Sequence, residues 1–148
     1  MKIVLQRVKE AAVEVQGKIV GKIGQGICLL VGIEKGDSEE DAHYLAKKVT
    51  ELRIFPDEEG RMNLSVLDVQ GEAMAVSQFT LAGSLKKGRR PSFDKAEEPE
   101  KAEKLFKYFV ELIKQRGIKV ETGIFQAMMD VHLINEGPVT FILEKKID

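Results

Sequence analysis

The chain has 148 residues, 43% apolar and 32% charged. That suffices for one domain, 1–148, with its own core, and excludes a disordered tract or two comfortable domains. A formal net charge of −1 excludes a globally basic nucleic-acid binder, so an anionic partner must be met by a local patch.

In chain order, IVLQRV, AAVEVQ and KIVGKI are predicted as three short strands, rich in Val and Ile and interrupted at Gly17 and at Gly21 to Gly26. GKIGQG has the spacing G-x-x-G-x-G, and a strand follows it, so a hairpin turn is predicted rather than a nucleotide-binding loop. ICLLVGI is predicted as a strand buried on both faces, and it holds the one cysteine, Cys28, as a structural thiol. A single cysteine cannot close an internal disulfide, the N-terminus has no signal-peptide apolar segment, and no apolar run reaches the length of a membrane span. These features point to the cytoplasm and to no membrane partner.

From Ser38 the period becomes helical. Ser38 and Asp41 have capping-box spacing, and Ala42, Leu45, Ala46, Val49 and Leu52 form the apolar stripe. RIFPDEEGRMNLS is a strand end, a turn and a return, and EAMAVSQFTL is a strand. Pro99 opens a second helix with Ala102, Leu105, Phe106, Phe109 and Ile113 on one face, and Gly117 stops it. IKVET and MMDVHLINEGPVTFILEKK supply two or three more strands joined by turns. The expected fold is α+β: one domain with an antiparallel-rich, barrel-like sheet and two main helices packed on it.

The usual chemistries are missing from the spacing. His43 falls within the first helix and His132 on a strand, both read as structural, and no G-x-S-x-G elbow occurs. No metal-ligand spacing or cofactor motif is found. Two stretches stand out. SQFT places Ser77, Gln78, Phe79 and Thr80 at a strand end just before Lys86, Lys87, Arg89 and Arg90. This is either a strand terminus with a solvated charge run, or a polar pocket flanked by phosphate-binding cations. NEGPVT is either a tight turn between strands or a place where bare main chain approaches something small.

SQFTL at 77–81, KGRRPSF at 87–93 and NEGPVT at 135–140 together resemble the D-aminoacyl-tRNA deacylases. QRV at 6–8, VGIEKGDSEEDA at 31–42, LRIFPDEEGRMNLSV at 52–66 and VETG at 120–123 extend the resemblance over nearly the whole chain. It implies a cytoplasmic homodimer that hydrolyses the ester between a D-amino acid, or glycine, and the terminal ribose of tRNA. Ser77, Gln78, Phe79 and Thr80 would form the pocket, with backbone N–H groups near Phe79 and Thr80 facing the oxyanion and the substrate 2′-hydroxyl assisting. Gly137 and Pro138, joined by a cis bond and braced by Arg7, would enter the other subunit's pocket and exclude L side chains. Met129 would lie near the terminal adenosine, and Lys86, Lys87, Arg89 and Arg90 near the phosphates of the acceptor end. Gln126 in FQAMM departs from the family's Gly, and NEGP from its commoner NDGP. From the residues alone, a non-catalytic RNA-end binder and a small-molecule esterase rank close to this reading. The resemblance decides for the deacylase.

Overall fold

A 14-residue strand, β1 (Lys2–Val15), is the spine of the sheet. The computed structural model describes residues 1–145; residues 146–148, which include the end of the stretch expected to form the last strand, lie outside the described residues. β2 (Lys18–Ile23) and β3 (Gly26–Gly32) follow, then α1 (Glu39–Glu51), β4 (Phe55–Pro56), β5 (Met62–Leu64) and β6 (Glu72–Ser77). A 3-10 turn (Phe79–Ala82), α2 (Pro99–Lys114), β7 (Val120–Thr122) and β8 (Asp130–Glu144) complete the order.

IVLQRV and AAVEVQ form one strand, not two. The hairpin turn is at Gln16–Gly17, both with positive φ (51° and 80°), the geometry that keeps two strands twisted together. GKIGQG is not the hairpin. Ala11 pairs with Ile23 and Val8 with Gly26, so β2 and β3 lie along the same edge of β1 with a break at Gly24–Gln25. The other edge of β1 is taken by β8, from Lys2↔Glu144 to Glu14↔Asp130. β3 pairs in parallel with β6, and β6 with β7, while the pairs of β1 with β2, β3 and β8 are antiparallel. The sheet curls until β2 meets β7: a methyl group on Gly21 would come within 2.7 Å of the Thr122 carbonyl oxygen.

Alternation sorts the side chains into two apolar layers. Ile27, Leu29 and Val31 of β3 and Ala73 and Ala75 of β6 meet the helices, while Cys28, Met74 and Val76 face the inside of the curl with Val8, Ala11 and Val13. β3 is therefore buried on both faces, as its unbroken apolar run requires. Both helices form over the expected stripes. The Ser38 N–H donates to the Asp41 carboxylate at 3.0 Å, and Phe106, Phe109 and Ile113 are buried.

Candidate active site

Ser77 continues the helix-facing row of β6 beyond Ala73 and Ala75. There it lines a narrow slot of about 10 Å³ with Phe106, Phe125 and Met129, room for about one water. The fold thus brings Ser77 and Met129 together from positions far apart in sequence. Gln78 is pinned by its N–H, which donates to the Val31 carbonyl at 2.8 Å. FTLA then leaves the expected strand and closes into the 3-10 turn. Gly32 permits this, because a methyl group there would lie 2.8 Å from Leu81 Cβ and 3.1 Å from the Gln78 carbonyl oxygen. As the first two residues of that turn, Phe79 and Thr80 carry N–H groups that precede any acceptor within it.

The Gln78 side-chain amide donates to Thr80 Oγ1, and Thr80 is exposed. No histidine lines the slot. His43 meets the Tyr108 hydroxyl at 2.6 Å, tying α1 to α2, and His132 lies 3.6 Å from a Glu14 carboxylate oxygen on the outer face of the sheet. Burial pushes the Cys28 thiol up to about 12, so it is no thiolate nucleophile at neutral pH.

NEGPVT is not a turn between strands. Gln6 pairs with Thr140 and Val8 with Asn135, so one β1 residue, Arg7, faces the four residues 136–139, which loop out of β8. The Gly137–Pro138 bond is cis and both residues are exposed. The Asn135 side chain closes the bulge, accepting from the Val139 N–H at 2.7 Å and donating to Thr140 Oγ1 at 2.9 Å. Arg7, only 9% exposed, donates to the Glu136 carbonyl at 3.1 Å and to the Ile54 carbonyl at 2.7 Å. Arg7 therefore ties the bulge to the body of the protein. β8 and β6 are separated by β1 and β3, three strand spacings or about 14 Å along the sheet. Within one chain, Gly137–Pro138 and the Ser77 slot are not brought together.

The basic segment is a loop over residues 85–91, all exposed. It is closed at its base by Ser84 and Ser92, whose backbones exchange hydrogen bonds of 2.7 and 2.9 Å. Lys86, Lys87, Arg89 and Arg90 occupy its tip around Gly88, which has φ +64°.

Some placements have no signature in spacing. Glu14, Asp130 and His132 have ligand-capable atoms within 4.8 Å of one another, a His–carboxylate group that cross-strand register assembles and linear spacing hides. The Ile54 carbonyl as a partner of Arg7 is equally invisible. Gln126 has φ +67°, a left-handed backbone that accounts for glycine being the expected residue there.

Residues 4–144 match the family model described as D-Tyr-tRNA(Tyr) deacylase. The chain belongs to this family. It is 60% identical over 146 residues to the D-aminoacyl-tRNA deacylase of Geobacter sulfurreducens, covering 99% of this chain and 96% of that protein. Among solved structures, the c-Myc DNA Unwinding Element Binding Protein is 40% identical with a TM-score of 0.93, covering 99% of this chain and all of that one. A structure described as a probable eukaryotic D-amino acid tRNA deacylase has the same fold, with a TM-score of 0.81 at 17% identity and coverage of 96% and 97%. Membership places this deacylase-family chain among the hydrolases, with the barrel-like sheet and two helices expected of it. Among the described residues no helix is long and apolar enough to cross a membrane.

Proposed function

We propose that the chain hydrolyses D-aminoacyl-tRNA to free tRNA and amino acid, and accepts glycyl-tRNA, as a cytoplasmic homodimer. The observation that carries the reading is full-length kinship with proteins named D-aminoacyl-tRNA deacylase. An aminoacyl ester is already activated, so a positioned water and donors for the developing oxyanion suffice. Water adds to the carbonyl carbon and gives up a proton, the Phe79 and Thr80 N–H groups hold the oxyanion, and collapse breaks the ester C–O bond and expels the ribose oxygen, which takes that proton by way of the neighbouring 2′-hydroxyl. Ser77 and Gln78 shape the pocket, and Met129 lies against the terminal adenosine. Gly137 and Pro138 fill the space of an L side chain from the other subunit, since their own slot is out of reach. Exclusion by main chain works for many amino acids, whereas a fitted side-chain pocket would favour one.

The deciding experiment compares hydrolysis of D-tyrosyl-tRNA and L-tyrosyl-tRNA without added metal. Loss of the D ester alone is expected; binding of both with cleavage of neither would leave an RNA-end binder, a role nearer to the name of the DNA-element-binding relative.

Thr80 is assigned positioning rather than attack: its hydroxyl accepts from Gln78, and among the described residues no base hydrogen-bonds to it. Thr80→Ala should keep kcat within about tenfold of the parent, the scale of losing one positioning hydrogen bond. Complete loss with tRNA binding intact would make it the nucleophile. The cations should act through phosphates. Neutralising Lys86 and Arg89 to Gln is expected to weaken tRNA binding and flatten the log–log salt dependence by roughly 1.4, about 0.7 for each single-strand contact removed. An unchanged slope would return the loop to solvent.

A further inference from the structure

One pair of aromatic rings is left unused by this chemistry. Phe79 and Phe93 meet edge to face, with centroids 5.1 Å apart and planes at 60°, yet they remain 59% and 39% exposed. Phe55, Phe106 and Phe109 are by contrast buried in the core. Rings exposed in the single chain forgo the gain of burial, so a fixed exposed pair marks a contact surface.

This pair is well fixed. Phe93 follows Ser92, one half of the backbone pair that closes the basic loop. Its ring lies against Gly83, where a methyl group would come within 2.9 Å of Cε1. Phe79 opens the 3-10 turn. The rings therefore stand at the base of a loop whose residues 85–91 carry four cations and no acid.

We propose that Phe79 and Phe93 form a stacking platform for unpaired bases at the 3′ end of RNA, with Lys86, Lys87, Arg89 and Arg90 holding the adjoining backbone. Exposed ring faces beside cations are the composition of single-strand sites. A duplex keeps its base faces stacked, so such rings find partners only where bases are free. Stacking also tolerates base identity, which leaves selectivity to the aminoacyl pocket. The platform rests on the deacylase reading only for which RNA end is bound.

The test uses an uncharged RNA hairpin with a short single-stranded 3′ tail carrying 2-aminopurine at successive positions. Fluorescence at one position is expected to be quenched on binding. Phe93→Leu should remove the quench and raise Kd about tenfold, within the range for losing one base–aromatic stack. Phe93→Tyr should restore both. If Phe93→Leu does not fold, as judged by thermal melting, Phe79→Leu reads the same pair. A quench that survives loss of either ring, or equal weakening for tailed and blunt hairpins, overturns the platform. So does Phe93-dependent self-association without any effect on RNA, which would make the rings a protein interface. Because the RNA is uncharged, the two readings fail separately: quench without D-ester hydrolysis sinks the deacylase, and hydrolysis without quench sinks the platform.

Discussion

Replacing Gly137 with alanine is expected to reduce the preference for D over L esters, read as a ratio of kcat/KM, about a hundredfold while the protein stays folded. Gly137 has φ +134°, a backbone region that an L residue enters at a cost of about 1–3 kcal/mol. The added methyl group would also lie 2.8 Å from Val139 Cγ2 and 3.2 Å from Arg7 Nη2. Val139 is buried and Arg7 is held by two carbonyl groups, so neither yields freely, and the bulge must move instead. If the pair excludes by contact, as proposed, a displacement of about 1 Å is enough for an effect near 3 kcal/mol, or about a hundredfold. Residues 136–139 already stand outside the β1–β8 register, so the sheet keeps its pairing. A Gly137→Ala protein with parental discrimination at full activity would remove this pair from chiral selection.

Arg7→Ala should be the most destabilising change at the site, costing about 3 kcal/mol and lowering the thermal midpoint by roughly 6–12 °C. Its guanidinium satisfies the buried Ile54 carbonyl and the Glu136 carbonyl, and lies 3.7 Å from the Glu136 carboxylate. Truncation strands these acceptors and frees the bulge, so discrimination should fall along with stability. Arg7→Lys should recover only part of either, because one ammonium cannot span both carbonyls as the planar fork does. A calorimetric scan of Arg7→Ala within 2 °C or so of the parent would show the brace to be dispensable.

Local signals were legible in proportion to how local their causes are. α1 follows from Ser38, Asp41 and a complete apolar stripe, and α2 from Pro99 and its own stripe. The burial of β3 follows from an unbroken apolar run. The sequence reads β1 as two strands because its inward residues are Val8, then Ala11 and Val13, a change of phase that a bulge produces as readily as a chain break. The 136–139 bulge has the Gly-Pro composition of a turn, and only the partner strand shows that the chain continues in the same direction. FTLA reads as strand in the sequence because the room for its turn comes from Gly32, on another strand. At the site, Ser77 through Thr80 and Gly137–Pro138 were visible as motifs. The Arg7–Ile54 bond and the meeting of Phe79 with Phe93 were not, since they depend on contacts that spacing does not encode.

The Ser84–Ser92 clasp sets the basic loop apart from the rest of the chain. Residues 85–91, within it, are all exposed, while Ser77, before it, lines the slot. On the proposed function, residues 85–91 would act as a cassette, open to changes of length and charge that leave the pocket alone. On the same proposal, affinity for the nucleic acid and fidelity toward the amino acid would fall under separate mutational control.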